Sequence, residues 1–444
     1  MNQTTAIVNV DDLIDRQPLR LKNVALLLLL LTALLADGFD LQVLSFAAPG
    51  LVRDWGIARA SLGPVFSANL FGMMVGAALF GWLGDRLGRK RSIISGSLLY
   101  GASCLGCLAA DSLLELGALR FITGLGLGGV LPNVIALTAE VTPKRWRAMF
   151  TTLVVIGMSL GSSLPSIVTT TLVPQHGWQV LFLVGGIAPI VIALALAVFL
   201  PESLMFMAHS GRHRELLERR VTQMDASLAI TPQTRFEVRG READARPGLR
   251  KLFTGELLYA TPCLWLMFGG TLLAMVLMTS WMPLWFVDAG LPTVQAAKIN
   301  ALFHLGGTVA ALITAVVLGR LGLSWVLGLL ALGWIAVASI ALTGFSPGLL
   351  TVLTCAAGFG IVGCQSALNA SAGLIYPSSF RPTGVGAALG VGRIGSILGP
   401  LIGSIFLAAG LSTRHMFLLP LVPIGIAIAA TGLLILRKVD VRDR

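Results

Sequence analysis

The chain has 444 residues, of which 55% are hydrophobic and only 12% are charged, with a formal net charge of +11. A soluble domain usually has about a quarter of its residues charged. Several apolar runs approach or exceed the roughly 20 residues that cross a bilayer as a helix. The composition therefore excludes an ordinary soluble domain and predicts a polytopic membrane protein. The first segment, Met1 to Lys22, lacks the short apolar core and cleavage site of a signal peptide, so the first apolar run is expected to be retained.

Apolar runs bounded by turn residues predict twelve membrane-spanning helices, called spans 1 to 12 below. The first six are expected near 24–48, 62–82, 92–110, 114–138, 149–173 and 179–200. The last six are expected near 260–287, 293–318, 323–343, 349–373, 385–409 and 414–436. The predicted fold class is all-α and integral to the membrane. Its expected parts are a tail (1–23), a six-helix bundle (24–200), a linker (201–257), a second six-helix bundle (258–436) and a final tail (437–444).

The distribution of Lys and Arg predicts the orientation of the spans. Basic residues cluster in both tails, in the loops after spans 2 and 4, and in the polar segment at about 203–255, which holds ten. Loops of the opposite parity offer only Arg53, Arg59, Lys298 and Arg414. By the positive-inside rule both ends are expected in the cytoplasm. The net charge is therefore interpreted as a topology signal, with no nucleic-acid partner expected.

The two halves of the chain show an internal repeat. An offset of 234 residues pairs Gly124 with Gly358, Gly126 with Gly360, Gly129 with Gly363, Pro143 with Pro377, Arg147 with Arg381 and Gly161 with Gly395. Two parallel six-span halves joined by a cytoplasmic segment are typical of a transporter whose site lies between the halves near the middle of the membrane.

Few ionisable residues lie deep within the predicted spans: Asp37, Asp40, Arg120, His304 and Arg393. A charge at the membrane centre costs at least about 2.5–3.5 kcal/mol, so these side chains are expected to face the bundle interior. Asp37 and Asp40 are three residues apart and share one face of span 1. Helix rise places them near the depth of Arg120 on span 4, which makes a cluster of acid and arginine between these spans an expectation.

The acid pair has two interpretations. In the first, one aspartate carries a transported proton, because two neighbouring acids cannot both ionise cheaply and their titration is coupled. In the second, the acid and Arg120 form a permanent structural ion pair. Which of Asp37 and Asp40 is the main proton carrier stays open.

Two further deep side chains are candidates for contact with substrate. Arg393 on span 11 is expected to anchor an anion, since a guanidinium binds carboxylate through two hydrogen bonds. The alternative is an arginine bonded to backbone carbonyls in the glycine-rich stretch 390–399. His304 on span 8 is either a substrate contact or a packed histidine. Arg120 is the second candidate cation for the substrate.

Neutral polar and aromatic residues complete the candidate substrate site. Asn69 on span 2 falls at a depth similar to that of Arg120. Gln365 and Asn369, one turn apart on span 10, are expected to face the cavity or to bind a neighbouring helix. Trp281 on span 7 is expected to stack on substrate, or to sit with Trp285 in a membrane-interface belt.

The loop between spans 2 and 3, "GWLGDRLGRKR" at 81–91, is interpreted as a gate. Asp85 is expected to accept N–H groups at the start of span 11, and Arg89 to pair with Glu140 at the end of span 4. The alternative, that the basic residues only set topology, leaves the glycines and Asp85 unexplained. The gating residues are therefore predicted to be Gly81, Gly84, Asp85, Arg86, Gly88, Arg89 and Lys90. The second half has no acid in the matching loop at 318–324, so the gate is expected to be asymmetric.

Two motifs are given structural interpretations. Cys104 and Cys107 form a C-x-x-C without a second ligand pair, so no metal or disulfide is expected. The glycine-rich stretch at 123–133 lies in a membrane span instead of the strand–turn–helix unit that dinucleotide binding needs. Close helix packing is the expected role of its glycines. No cofactor is expected.

Several of these motifs resemble a known family. "GWLGDRLGRKR" is similar to the loop signature of the major facilitator superfamily, and "DGFD" in span 1 resembles the aspartate pair of its aromatic acid:proton symporters. "RFITGLGLGGVLPN", "PES" at 201–203 and "RPTGVGAALGVGRIGSILGP" at 381–400 resemble that family too. The family imports benzoate-type acids with protons across bacterial inner membranes. The resemblance implies roles in transport for Asp37, Asp40, Arg120, Glu140 and Arg393, with Asp37, Asp40 and Glu140 assigned to proton coupling. It also implies a conformational lock at Asp85.

The expected function is a proton-coupled importer of an aromatic carboxylate such as a hydroxybenzoate, working as a monomer by alternating access. The alternative is a symporter or exporter of another organic anion, such as a muconate-like dicarboxylate or a sugar acid. A dicarboxylate needs two cationic anchors, and Arg120 with Arg393 would fit that pattern. An intramembrane enzyme or a receptor is the remaining alternative. The chain lacks an evident nucleophile–base set and a large signalling domain, and it is not expected to be an enzyme.

Overall fold

The computed structural model describes residues 7–18, 21–210, 214–225, 228, 230–231, 234–237, 252–255, 257–343, 346–377 and 381–437, without the side chains of Lys22 and Pro382. The described residues contain twelve helices long and apolar enough to cross a membrane. Backbone polar groups in lipid must be bonded within the segment itself, which is why each long apolar run forms a helix. The predicted fold class is confirmed. The predicted tail beyond Arg437 and half of the predicted linker between 211 and 256 lie outside the described residues.

The first six spans form one bundle. Span 1 is α2 (Leu21–Trp55), span 2 is α3 (Leu62–Leu87), span 3 is α4 (Arg89–Gly106) and span 4 is α5 (Leu113–Val141). Span 5 consists of α6 (Lys144–Gly161) and α7 (Leu164–Thr171), and after the short α8 (Val173–His176), span 6 is α9 (Gln179–Phe199). Span 5 begins five residues before the predicted start, because its basic first turn continues the helix beyond the apolar run.

The second six spans repeat this arrangement. Span 7 is α12 (Leu257–Asp288), span 8 is α13 (Thr293–Leu321), span 9 is α14 (Leu323–Thr343), span 10 is α15 (Pro347–Ile375) and span 11 is α16 (Arg381–Ala408). Span 12 consists of α17 (Thr413–Met416) and α18 (Leu421–Leu436). The face on which span 1 begins and span 12 ends is called the tail side below, and the opposite face is called the far side.

The sequence repeat is also a repeat of contacts. A Cβ on Gly124 of span 4 would collide with the carbonyl of Asn69 on span 2, and a Cβ on Gly358 of span 10 with the carbonyl of Phe303 on span 8. Asn69 and Phe303 are themselves 234 residues apart. Likewise, Gly161 packs against the carbonyl of Leu35, and Gly395 against the carbonyl of Gly269. The paired glycines therefore allow the same close helix approach in both halves.

A second shared contact lies at the start of spans 5 and 11. The Nε of Arg147 donates to the carbonyl of Thr142 at 3.4 Å, and the Nε of Arg381 donates to the carbonyl of Tyr376 at 3.4 Å. Each pair bridges five residues across the loop before its helix. The matched arginines therefore stabilise matched helix starts.

The two bundles meet along a seam on the far side. The Ser45 hydroxyl of span 1 donates to the carbonyl of Thr279 at 2.6 Å, and the Ser67 hydroxyl of span 2 donates to the carbonyl of Ile397 at 2.8 Å. Ser404 bonds the carbonyl of Ala60. An ion pair of 2.9 Å joins Arg59 to Asp288 at the outer end of this seam. These contacts between the bundles lie toward the far side, which is therefore closed.

The N-terminal tail and the linker build a small layer on the tail side, called the cap below. It contains β1 (Ile7–Asn9), α1 (Val10–Arg16), α10 (Leu204–Ser210), α11 (Arg214–Met224) and β2 (Arg235–Glu237). The strands pair in parallel, Ile7 opposite Arg235. Leu13, Met207, Leu217 and Val221 form its buried apolar cluster. The Leu217–Val221 pair, one turn apart, gives this otherwise polar segment an apolar face.

The cap is fastened to the first bundle by two carboxylates. Asp15 accepts from the backbone N–H of Lys144 at 2.8 Å and lies 3.5 Å from Arg147. Glu202 accepts from the backbone N–H of Lys90 at 3.2 Å. Both acceptors sit at helix N-termini, where the helix dipole favours an anion. The described part of the cap is therefore attached to the first bundle.

The repeated glycine contacts predict a stability pattern. We expect Gly124→Ala and Gly358→Ala each to destabilise the protein by roughly 1–3 kcal/mol, because a new methyl group overpacks against a backbone carbonyl. Gly117→Ala, on the same helix as Gly124 but facing open space, is the matched control and should not lower the Tm. Thermal unfolding in detergent measures all three, and equal Tm values for the three variants would contradict this account of the repeat.

Candidate functional site

A buried ion pair joins spans 1 and 4 in the first bundle. Both terminal nitrogens of Arg120 donate to the Asp40 carboxylate, at 2.8 Å and 3.2 Å, and one also donates to the Asp40 backbone carbonyl at 3.2 Å. The side chains are 1% and 0% exposed. Two-point contact is the strongest geometry for this pair of groups. The guanidinium's two terminal nitrogens are thus engaged by the protein itself.

Asp37 lies outside this ion pair. The side chain is 2% exposed, and Tyr100 of span 3 is its neutral neighbour. Its Oδ1 has no hydrogen-bond partner among the described residues. The two acids predicted to share one cluster with arginine therefore differ: Asp40 is neutralised by Arg120, whereas Asp37 faces a neutral hydroxyl. Tyr100 was not among the predicted site residues.

Arg393 is a deep cation without a hydrogen-bonding or ionic partner among the described residues. It is partly buried in the middle of span 11. No described residue forms a hydrogen bond or an ion pair with it. The alternative in which Arg393 bonds backbone carbonyls of 390–399 is therefore wrong for the described structure. An unpaired guanidinium inside a membrane protein is an electrostatic site for an anion.

Among the neutral candidates, Asn69 and His304 each have an atom without a described partner, whereas Gln365 and Asn369 bond to each other. Asn69 is 6% exposed and its Oδ1 has no partner among the described residues, and the same holds for Nε2 of His304, which is also 6% exposed. Gln365 donates to Asn369 at 3.4 Å, and its Oε1 is buried without a described partner.

Trp281 is enclosed by protein instead of lipid. It is fully buried, its indole N–H donates to the carbonyl of Pro400 at 3.2 Å, and its ring lies edge-on to Phe66 with centroids 5.3 Å apart. Trp285 is also fully buried. The membrane-belt interpretation is therefore wrong for both rings. Trp281 lies in the far-side seam, because Phe66 belongs to the first bundle and Pro400 to the second.

Two buried amides were missed by the sequence analysis. Asn300 on span 8 is fully buried, and both its Oδ1 and its Nδ2 lack partners among the described residues. Gln42 on span 1 is 7% exposed, and its Oε1 also has no hydrogen-bond partner among the described residues. Spacing contained the signal: Asn300 precedes His304 by one helical turn, and Gln42 follows the acid pair. Neutral amides attract less attention than charges in an apolar run, although their burial is also costly.

The predicted gate is a connected set of charges on the tail side. Arg89 contacts Asp85 at 2.6 Å and Glu140 at 3.5 Å. Its Nη1 also donates to Asn133 at 3.4 Å. The Asn133 amide, missed from the sequence, donates to the carbonyls of Phe80 and Gly129 and to the Ser92 hydroxyl. Asn133 thereby ties spans 2, 3 and 4 together beneath the gate.

The remaining gate residues have different surroundings. Gly88 has φ +103° and lies against Glu202, while a Cβ on Gly84 would meet Asn133. Arg86 covers the Trp82 ring at 4.3 Å, Lys90 donates to the carbonyl of Ala197 at 2.7 Å, and Gly81 faces open space. The start of span 11, the expected partner of Asp85, adjoins residues 378–380, which lie outside the described residues. That contact stays a prediction.

A cavity of about 430 Å³ separates the gate from the cap. It is lined by Asp85, Arg89 and Glu140 from the gate and by Asp11, Phe206 and His209 from the cap. The gate therefore faces a polar space on the tail side.

Comparison with known proteins identifies the fold. The family model of the Major Facilitator Superfamily matches residues 30–346. The chain belongs to the major facilitator superfamily. A D-xylose-proton symporter of this fold is 17% identical with a TM-score of 0.69, covering 92% of this chain and 96% of the other. An inward-facing, occupied bacterial homologue of the lysosomal transporter Spinster is 15% identical with a TM-score of 0.71, covering 94% and 97%.

Several related transporters align with nearly the whole length of this chain. It is 36% identical to a gallate transporter of Pseudomonas putida, over 96% of both chains. It is 37% identical to the 4-hydroxybenzoate transporter PcaK of Pseudomonas aeruginosa, over 95% of both chains. A benzoate transport protein of Acinetobacter baylyi is 29% identical, over 96% of this chain and 92% of the other. The resemblance to aromatic acid transporters is thus confirmed, as is the prediction that this multi-pass membrane protein is not an enzyme.

The ion pair predicts an asymmetry between the two aspartates. We expect Arg120→Met to destabilise this facilitator by about 3–5 kcal/mol, because it leaves the Asp40 carboxylate buried and unpaired. The double variant Asp40→Leu/Arg120→Met should recover most of that loss, since apolar replacement of a buried pair is often neutral. Asp37→Asn, the matched control three residues away, should keep a Tm near that of the wild type. Thermal unfolding followed by size-exclusion chromatography measures this series. A double variant as unstable as Arg120→Met would argue against the pairing.

Proposed function

We propose that this protein is a proton-coupled symporter that imports an aromatic carboxylate, such as a hydroxybenzoate, across a bacterial inner membrane by alternating access. The observation that carries the proposal is the division of the deep charges. Arg120 and Asp40 neutralise each other, which leaves an acid, Asp37, and a cation, Arg393, without a charged partner among the described residues. One remaining group can carry a proton and the other an anion.

Arg393 is the anchor for the substrate carboxylate. A guanidinium presents paired donors that match a carboxylate, and low polarity around it strengthens the contact. Arg120 is unsuited to a second anchor because both its terminal nitrogens already bind Asp40. A single deep cation without a partner in the described part of the chain favours a monocarboxylate over a muconate-like dicarboxylate, the alternative substrate. The names of the relatives, which concern gallate, 4-hydroxybenzoate and benzoate, support the same class.

Asp37 is the proton carrier in this proposal, and Asp40 is the structural partner of Arg120. A carboxyl buried beside the neutral Tyr100 hydroxyl exchanges a proton without first breaking an ion pair. Asp40 would have to abandon two hydrogen bonds to Arg120 before it could be protonated. The division of roles therefore follows from which acid has the arginine.

The closed far side corresponds to the inward-facing conformation. The tail side carries the basic loops, the start of span 1 and the end of span 12, and the positive-inside rule makes it cytoplasmic. In that state the seam around Trp281 and the Arg59–Asp288 ion pair hold the external side shut. The gate set of Asp85, Arg89 and Glu140 is the corresponding device for the cytoplasmic side. Glu140, whose Oε2 has no described partner, is the gate acid through which a proton leaves.

The coupling role of Asp37 predicts a split between two transport assays. In liposomes with an acidic exterior, we expect wild-type protein to accumulate labelled 4-hydroxybenzoate. Asp37→Asn should abolish this accumulation but retain exchange of labelled for unlabelled acid, because exchange needs no net proton movement. Asp111→Asn, an exposed far-side acid, is the matched control and should accumulate substrate normally. Gradient-driven uptake by Asp37→Asn at the wild-type level would remove Asp37 from the mechanism.

The anchoring role of Arg393 predicts selective loss of anion binding. We expect Arg393→Gln to weaken binding of 4-hydroxybenzoate at least about tenfold, since it removes charged hydrogen bonds to the carboxylate. Arg320→Gln, which changes an exposed arginine near the tail-side end of span 8, serves as control. Calorimetric titration of detergent-solubilised protein with 4-hydroxybenzoate and with muconate measures both affinities. Tighter binding of muconate by the wild type would favour the dicarboxylate alternative.

A further inference from the structure

We infer that Asn300 and His304 form a subsite that binds a ring hydroxyl of the substrate, with Thr354 beside them. This inference rests on the proposed function, because it assumes that the substrate carboxylate lies on Arg393. It deepens that function by selecting hydroxylated aromatic acids over unsubstituted benzoate.

The first argument is the number of polar atoms left unpaired. Asn300 and Thr354 are fully buried, and His304 is 6% exposed. Four of their atoms lack hydrogen-bond partners among the described residues: Oδ1 and Nδ2 of Asn300, Nε2 of His304 and Oγ1 of Thr354. Leaving a buried polar atom unpaired costs about 1–3 kcal/mol. Four such atoms in one region indicate a site whose partner is a ligand.

The second argument is the direction of these side chains. Spans 8 and 10 run parallel and pack where Gly358 meets Phe303 and where Gly307 meets Val362. A helix turns about 100° per residue. Asn300 and His304 therefore lie on one flank of the span 8 contact face, and Thr354 lies on the corresponding flank of span 10. All three project to the same side of the helix pair.

The third argument is depth. Asn300 and Thr354 are each seven residues from the far-side start of their helices, or about 10 Å, and His304 is about 16 Å from it. Arg393 is fifteen residues from the far-side end of span 11, or about 22 Å. The three polar groups thus lie between about 6 Å and 12 Å to the far side of Arg393. A benzoate ring that is held by its carboxylate and directed toward the far side would cover this interval of depth.

The fourth argument is chemical complementarity. An amide offers donors and an acceptor, a hydroxyl offers both roles, and neutral histidine offers one of each. A phenolic hydroxyl also donates and accepts, so it can satisfy Asn300 and His304 together. A second carboxylate only accepts, so it would leave acceptors unpaired at this end. The subsite therefore fits a hydroxyl and disfavours a dicarboxylate.

The repeat supports a specialised second half. Thr354 occupies the position that corresponds to Arg120 at the 234-residue offset, and Thr271 the position that corresponds to Asp37. Both threonine hydroxyls are buried without described partners. At these two positions the first half has charged side chains where the second half has neutral polar groups. This division assigns proton chemistry to one half and hydroxyl recognition to the other.

The test compares two acids that differ by one hydroxyl, 4-hydroxybenzoate and benzoate, by calorimetric titration of purified full-length protein. We expect the wild type to prefer 4-hydroxybenzoate by roughly five- to tenfold or more. Asn300→Leu should abolish that preference while keeping benzoate affinity within about twofold, and His304→Leu should reduce the preference. Gln175→Leu, which removes an exposed amide from α8 on the far side, is the matched control and should keep the preference.

Stability provides the second readout. Because Asn300 has no described partner to lose, Asn300→Leu should have a Tm equal to or above that of the wild type. A lower Tm would assign the amide a structural role and overturn the inference; Asn300→Ser replaces it if the leucine variant does not fold. Equal weakening of both acids, or an unchanged preference in both leucine variants, would also overturn it. Wild-type protein that binds neither acid would instead reject the proposed function.

Discussion

The cost of a charge in a low-dielectric interior is the constraint on which this structure depends. Arg120 and Asp40 meet that cost by bonding to each other, with both terminal guanidinium nitrogens on one carboxylate. Asp37 and Arg393 lie outside this pair and have no charged partner among the described residues. In the proposed mechanism a transported proton neutralises Asp37, and the substrate carboxylate neutralises Arg393. The buried Arg120–Asp40 ion pair thus separates the charges that stabilise the fold from those proposed to act in transport.

The two halves share their packing but differ in their polar groups. Gly124 and Gly358 permit the same close approach of parallel helices, and Arg147 and Arg381 make the same bond across a loop. Packing must match because both bundles have to close against each other along one seam. In the proposed mechanism each half contributes a different part of a central site, so the polar side chains are free to diverge. An asymmetric site between similar bundles is the result.

The tail side adds a layer that the repeat does not contain. The cap holds the first bundle through Asp15 and Glu202, and it faces the Asp85–Arg89–Glu140 set across a polar cavity. Arg89 contacts both acids and also Asn133, so movement of this arginine is linked to the packing of spans 2, 3 and 4. In the proposed alternating-access mechanism, fastening the cap to one bundle would leave the second bundle able to move relative to it.

The sequence by itself determined the spans, the repeat and the rare deep charges, because hydrocarbon thickness fixes helix length and excludes unneeded charge. It also placed Arg89 with Glu140, since both residues end on the same side of neighbouring spans. Only the tertiary structure decided that Arg120 binds Asp40 and not Asp37, because helix rotation selects between residues three positions apart. It likewise moved Trp281 from the lipid interface into the seam and brought out Asn300. The one-turn spacing of Asn300 and His304 was visible in the sequence, but the importance of a buried amide lies in the partners that surround it or are missing, and those only the tertiary structure gives.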